Sequence, residues 1–204
     1  MNSLQKFLFT FCMAFIVSGI GVIVGQFVPA PLMIPLMIAE LVLLIILAFV
    51  RKKKFGYTLM YIFMFISGIT LFVSLSHYVS VLGAGLVLKA FIVTAIAFIA
   101  IAIYGSVTKF NFGFLGNILF FVLLAIVILG IVSIFVTFSN TMHFVITIAS
   151  ILVFVGYTLY DFNQIARRGI TEEHIPNLVI SVYLDFINLF LSVLRLIKLL
   201  SRDD

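Results

Sequence analysis

The sequence predicts an all-α integral membrane protein with seven transmembrane helices, and three observations support this. Hydrophobic residues make up 65% of the 204 residues, only 9% are charged, and the mean hydropathy is +1.38. A soluble domain of this length would carry far more charge on its surface. The apolar residues form long runs, each close to the ~20 residues with which a helix crosses a bilayer. None of these runs shows the alternating pattern of a membrane barrel strand.

Seven apolar stretches follow one another along the chain. In order, they cover about residues 7–28, 32–50, 57–79, 86–104, 117–138, 143–165 and 176–200. Pro29 ends the first stretch, the basic residues 51–54 end the second, and Gly83 follows the third. Pro35 lies in the first turn of the second stretch, where proline is tolerated, and Pro176 opens the last. We predict a single transmembrane domain over residues 1–204.

The distribution of Lys and Arg predicts the orientation, because basic residues concentrate in cytoplasmic loops. With the N-terminus inside, the inside segments hold Lys6, residues 51–54, Lys109, Arg167 and Arg168, whereas the outside loops hold only Lys89. The basic tail opposes this orientation, since Arg195, Lys198 and Arg202 would lie outside after seven crossings. The net charge of +5 is explained by topology, so we expect no nucleic-acid partner. Membrane lipid is the expected surrounding, and the 51–54 cluster could bind anionic lipid.

Two aspartates lie at membrane depth, where a carboxylate is costly and marks a functional site. Asp161 precedes Arg167 by six residues, and Asp185 follows Pro176 by nine. At ~1.5 Å of helical rise per residue, both lie in the inner half of antiparallel neighbouring helices, so they can meet. Two close carboxyl groups cannot both ionise cheaply and titrate as a pair, which would make a pH-controlled latch. Their oxygens also suit Ca²⁺, which makes Asp161 and Asp185 candidate metal ligands.

A polar stripe follows one face of the last helix and includes Ser181, Asp185, Asn188, Ser192 and Arg195. Such a face belongs at the bundle interior or along a water path rather than against lipid. We therefore place Asn188 on a candidate cation path. The alternative is that these polar side chains, the aspartates included, only form hydrogen bonds with neighbouring helices.

Glu40 and Arg51 are the remaining ionisable candidates near the membrane interior. Glu40 precedes Arg51 by eleven residues, which places it ~16 Å deeper and near the membrane centre. There it could line a cation path, or it could be a hydrogen-bonded carboxyl in helix packing. Arg51 could pair with Asp161, or it could be an ordinary interfacial residue that extends its head group to water.

Small residues predict close helix contacts. Gly21 and Gly25 form a GxxxG pair in the first helix. The tripeptide Ser-Gly-Ile occurs at residues 18–20 and again at 67–69, which hints at an internal repeat, although chance explains it as well in so biased a composition.

The sequence contains no nucleotide-binding, serine-hydrolase or zinc-protease motif, so we expect no enzyme activity and no cofactor. Intramembrane aspartyl proteases also place one Asp on each of two helices, with Tyr-Asp on the first, as at Tyr160 and Asp161. However, their Gly-x-Gly-Asp motif is absent around Asp185, and a Pro-Ala-Leu segment is missing.

Several motifs together resemble the transmembrane Bax inhibitor motif family. They are GQFVP at residues 25–29, SGITLF at 67–72, GYTLYD at 156–161 and YLDFINLF at 183–190. The similarity covers nearly the whole chain and is greatest to short bacterial members described as pH-sensitive calcium leaks.

This resemblance implies two three-helix groups around a central C-terminal helix. It also implies that Asp161 and Asp185 form the pH sensor and that Arg51 is an alternative partner of Asp161. The expected function is a pH-sensitive Ca²⁺ leak in a bacterial plasma membrane, with calcium ions and protons as partners. The alternatives are a scaffold that regulates another transporter and a proton-coupled cation exchanger.

Overall fold

The computed structural model describes residues 2–49, 53–133 and 135–201. Within these ranges the chain is helical and contains no strand, and seven helices are long and apolar enough to cross a membrane. The predicted fold class is therefore confirmed. The helices are α1 (Ser3–Gly25), α2 (Ala30–Phe49), α3 (Lys53–Leu82), α4 (Ala84–Val107), α5 (Leu115–Val132), α6 (Asn140–Arg168) and α7 (Ile175–Leu200). Single 3-10 turns at Phe112–Phe114 and Glu172–His174 precede α5 and α7.

Short polar residues and glycines define several helix ends. The Asn2 side-chain oxygen accepts a hydrogen bond from the Gln5 backbone amide at 2.8 Å, and the Gln5 side-chain oxygen accepts one from the Asn2 backbone amide, which closes a capping box on α1. Ser139 caps α6 through the Met142 amide. Gly83 between α3 and α4 and Gly169 after α6 have φ of 82° and 72°, a region that favours glycine.

The observed helix ends differ from the predicted ones at several positions. Helix α5 ends at Val132, not near residue 138, and the Ser133 hydroxyl donates to the Gly130 carbonyl at this end. Pro35 lies inside α2, beyond its first turn, because the helix begins at Ala30. Helix α6 extends past both predicted ends. Hydropathy marks the segment that lipid surrounds, whereas capping residues decide where the helix begins and ends.

One compact unit, unit 1, comprises Met1–His77 and Ile170–Tyr183. Here α1 and α3 cross with their backbones in contact, because a β-carbon on Gly21 would lie 3.0 Å from the α-carbon of Gly68 and would collide with a carbonyl oxygen of α3. Gly25 abuts the Phe72 side chain. The predicted close contact of the GxxxG pair is confirmed. An ion pair between Lys6 and Glu172 joins α1 to the segment before α7.

A second compact unit, unit 2, comprises Tyr78–Gly169 and Leu184–Asp204. The rings of Phe91 and Phe98 on α4 meet Phe186 of α7 edge to face, at centroid distances of 5.5 and 5.3 Å. Gly105 lets α4 approach the backbone of α6, and Gly156 lets α6 approach α5. This packing holds α6 and the second part of α7 in the same unit.

Helix α7 contributes to both units, residues 175–183 to unit 1 and residues 184–200 to unit 2. The remaining helices divide as the predicted groups do, with α1, α2 and most of α3 in unit 1 and α4, α5 and α6 in unit 2. The assignment of residues 1–204 to one domain stays a prediction.

Candidate functional site

Asp161 and Asp185 lie in the same compact unit, as their predicted depths required. Helix α6 carries Asp161 two turns before its C-terminal end, and α7 carries Asp185 in its part that belongs to unit 2. Their exposed fractions are 8% and 5%. Asp161 acts electrostatically on Asp185, so the two carboxyl groups lie near each other, and their role as a paired sensor stays a prediction.

Tyr157 completes the surroundings of the carboxyl pair. It lies one turn before Asp161 on α6, and both aspartates interact electrostatically with its hydroxyl group. Residues four apart share a helix face, so Tyr157 and Asp161 project to the same side. Two carboxyl groups and the phenol of Tyr157, all from α6 and α7, therefore lie near one another.

One oxygen of this site is unsatisfied. Asp185 Oδ2 is buried and has no hydrogen-bond partner among the described residues. A buried polar atom without a partner costs about 1–3 kcal/mol, and more when it is charged. Such an atom is where a proton or a cation would bind.

The pair alone cannot form a resident calcium site. Ca²⁺ takes about six to eight oxygen ligands. Among the described residues, no group of three or more His, Cys, Asp or Glu side chains could hold a metal ion. The assignment of Asp161 and Asp185 as Ca²⁺ ligands stays a prediction.

Glu40 belongs to unit 1, whereas Asp161 and Asp185 belong to unit 2. The Thr70 hydroxyl donates a hydrogen bond to Glu40 Oε2 at 2.7 Å, and it also lies 3.0 Å from the Ser67 carbonyl. Glu40 is half-buried. This contact between α2 and α3 is what the packing interpretation of Glu40 requires, and the role in a cation path stays a prediction.

The side-chain amide of Asn188 forms its hydrogen bond within α7. Its Nδ2 donates to the Leu184 carbonyl at 2.8 Å, and the Ser192 hydroxyl donates to the Asn188 carbonyl at 2.7 Å. The hydrogen bonds of this part of the stripe therefore run along α7 instead of to neighbouring helices. The position of Asn188 on a cation path stays a prediction. Arg51, the predicted latch partner, lies outside the described residues.

Three hydroxyl groups of unit 1, those of Ser18, Ser67 and Tyr183, meet in the interior and form what we call the hydroxyl node. The node was not predicted from the sequence. Tyr183, which is fully buried, places its hydroxyl 2.7 Å from Ser18 Oγ and donates to Ser67 Oγ at 3.3 Å. The two serines are the first residues of the repeated Ser-Gly-Ile tripeptides, and Gly21 and Gly68 bring α1 and α3 close enough for both to reach one tyrosine. The repeated tripeptide was the signal in the sequence. Only the packing of α1 against α3 reveals that both serines share Tyr183 as a partner.

Thr94 of α4 was also missed. Its hydroxyl is buried without a hydrogen-bond partner among the described residues. Thr94 lies between Phe91 and Phe98 on the face of α4 that meets α7. A single threonine within a run of apolar residues has no pattern that would single it out.

Comparison with known proteins identifies the family. The sequence profile described as Inhibitor of apoptosis-promoting Bax1 matches residues 1–203. The inner membrane protein YbhL of Escherichia coli is 36% identical over 174 residues, which are 80% of this chain and 73% of that protein. Bax inhibitor 1 of Schizosaccharomyces pombe is 29% identical over 165 residues, 79% of this chain and 60% of that protein. This chain, a multi-pass membrane protein, therefore belongs to the Bax inhibitor-like family.

Proposed function

We propose that this protein is a pH-sensitive calcium leak channel, gated by the Asp161–Asp185 pair on α6 and α7. The observation that supports it best is the pair itself: two carboxyl groups less than one tenth exposed, interacting electrostatically, with one oxygen that lacks a partner among the described residues. A packing role would be expected to satisfy every polar atom.

The proposed gate depends on how many protons the pair holds. With one shared proton, the two carboxyl groups form a strong hydrogen bond that holds α6 against α7. With none, two negative charges repel, and with two, the charge-assisted bond is lost. A change in proton number therefore biases the two helices between two arrangements, as a two-state switch requires.

Carboxylates are hard oxygen ligands, which favours Ca²⁺ as the ion that passes. Two of them, with Tyr157 beside them, are too few to retain the ion, as a leak needs. In this proposal Glu40 and Asn188 line the cation path, and Arg51 replaces Asp185 as the partner of Asp161 in the other state. A bacterial plasma membrane is the proposed location, in line with the inner-membrane relative of Escherichia coli.

The test is Ca²⁺ entry into liposomes that contain the purified protein and a trapped calcium dye. Wild type, Asp161→Asn and Asp185→Asn are compared between about pH 6 and about pH 8, a range in which a coupled carboxyl pair can titrate, without a proton gradient. We expect protein-dependent flux that varies with pH in the wild type only. Flux that rises towards alkaline pH would identify the doubly ionised pair as the open state, and the reverse would identify the doubly protonated pair.

Two other functions make different predictions in the same liposomes. A proton-coupled exchanger, which could use the same carboxyl groups, would show saturable flux driven by an imposed proton gradient. A scaffold protein would show no flux above protein-free liposomes at any pH, although it is folded. Either result would contradict the leak channel. We propose no enzymatic activity and no cofactor.

A further inference from the structure

One end of unit 2 carries basic and aromatic side chains that are all exposed except the half-buried Phe112. They come from the segment between α4 and α5 and from the last turn of α6. We call them the basic-aromatic rim: Lys109, Phe110, Phe112, Phe114, Arg167 and Arg168. The rim lies at the start of the apolar span Phe112–Val132, where a transmembrane helix leaves the interface. None of these residues has a part in the proposed gate.

The backbone of the rim is held in place by one buried side chain. Asn163, only 1% exposed, accepts a hydrogen bond from the Phe112 amide at 3.0 Å. Its Nδ2 donates to the carbonyls of Gly105 and Phe110, each at 3.1 Å. The bond to Gly105 joins α6 to α4 itself, and the bonds to Phe110 and Phe112 join α6 to the segment after α4. The segment is therefore a fixed platform and not a loose loop.

Arg167 adds a fourth connection, because its guanidinium donates to the carbonyl of Lys109. This bond places the Arg167 guanidinium at the backbone of Lys109, and Arg168 follows Arg167 in the same turn of α6. All three side chains are exposed. The only acidic residues that the structure describes in unit 2 are Asp161 and Asp185, and both are buried. Of the acids that follow α6, Glu172 pairs with Lys6.

The aromatic part of the rim faces outwards. Phe110 is 57% exposed and Phe114 is 56% exposed, and the ring of Phe110 contacts the rings of Phe112 and Phe114 at 4.9 and 6.1 Å. Exposed apolar rings at the end of a span can pack at the boundary between lipid head groups and acyl chains. Basic groups and apolar rings in one segment match the two parts of an anionic phospholipid.

We propose that the basic-aromatic rim binds an anionic phospholipid, with its phosphate at Lys109, Arg167 and Arg168 and its glycerol and acyl part against Phe110 and Phe114. The general attraction of basic residues to an anionic membrane surface is diffuse and screened by salt. Here a fixed backbone brings three cations and two exposed rings together, so one lipid can contact all of them. This inference does not rest on the proposed channel function.

The natural chain contains no tryptophan, so one introduced tryptophan reports on its own lipid neighbours. Phe114→Trp would be reconstituted in symmetric bilayers in which either the phosphatidylglycerol or the phosphatidylcholine carries bromine, which quenches nearby tryptophan fluorescence. We expect phosphatidylglycerol to occupy this position at least about fivefold better, the preference that one basic side chain near an anionic head group confers. In the background Lys109→Gln/Arg168→Gln, the preference should disappear.

Two controls separate a site from general attraction. Phe27→Trp reports from a residue that is 77% exposed, on a stretch without Lys or Arg between residues 7 and 50, and should show no preference. Lys89→Gln removes an exposed charge at the other end of α4 and should leave the Phe114→Trp result unchanged. Equal quenching by both lipids at Phe114→Trp would overturn the proposal. So would a preference that survives Lys109→Gln/Arg168→Gln or that is equally strong at Phe27→Trp. Helical circular dichroism of each variant confirms that it is folded.

Discussion

The two parts of α7 accommodate their buried polar groups in different ways. In unit 1, Tyr183 shares hydrogen bonds with Ser18 and Ser67, all three neutral hydroxyl groups. In unit 2, only two residues further on, Asp185 lies beside Asp161 and leaves one oxygen without a partner among the described residues. Neutral and satisfied groups stabilise a helix contact. Acidic and unsatisfied groups cost stability, which is reasonable only where they serve a function.

The largest effect is expected for Gly21→Val, which tests the contact between α1 and α3 in unit 1. The added side chain would collide with the backbone of α3, separate α1 from α3 and withdraw Ser18 from Tyr183. We expect a loss of about 3 kcal/mol of stability, as for severe overpacking, measured as thermal unfolding in detergent. Gly19→Val on the same helix is the control, because a β-carbon there meets nothing within 4 Å. Equal losses in both variants would contradict the importance of this crossing.

The aspartate pair should behave in the opposite way. Asp161→Asn/Asp185→Asn removes the repulsion and the charge on the unpaired oxygen, so we expect unchanged or higher stability, by up to about 2 kcal/mol. The unfolding temperature should also depend less on pH between about pH 6 and about pH 8, because neither asparagine can titrate. Thermal unfolding across this range measures both effects.

Glu40→Gln is the matched control for that experiment. Glu40 already accepts a hydrogen bond from Thr70, and glutamine keeps an oxygen for it, so no gain in stability is expected. A loss of more than about 1 kcal/mol in the double aspartate variant would indicate a structural pair and would remove the contrast between the two parts of α7.

A smaller effect is expected for Tyr183→Phe. It removes the hydroxyl of the node but keeps the ring, which packs edge to face against Phe15 at 5.3 Å. We expect a loss of about 1 kcal/mol, typical of hydrogen bonds between helices in membranes, with the pH dependence of Ca²⁺ flux retained. Tyr104→Phe, at an exposed position, should change neither quantity. If Tyr183→Phe abolished the pH dependence, the node could no longer be described as purely structural.

The smallest effect on stability is expected for Asn188→Ala. The variant loses one hydrogen bond within α7 but gains helix propensity, so the net change should stay within about 0.5 kcal/mol. Because the fold is retained, a change in Ca²⁺ flux through this variant would support a place for Asn188 on the cation path. Unchanged flux would assign the residue to the helix alone.

Much of the site could be predicted from the sequence because membrane depth follows from helical rise. Counting from Arg167 and from Pro176 placed both aspartates at similar depths on antiparallel neighbours, and the structure brings them together. The same counting could not reveal the partner of Tyr183, since the order of residues along a helix does not say which distant helix faces it. The sequence also could not predict that one oxygen of Asp185 lacks a hydrogen-bond partner among the described residues, because this depends on where the surrounding polar groups lie.

By itself, the sequence determined that the chain is a seven-helix membrane protein and that two buried carboxyl groups can meet. Both follow from local physics, the cost of charge in hydrocarbon and the rise of a helix. Only the tertiary structure decided which partners the polar groups have, where α5 ends and that Asn163 holds the basic-aromatic rim in place. These features depend on which residues, far apart in the chain, come into contact with each other. Composition and spacing along the sequence carry no such information.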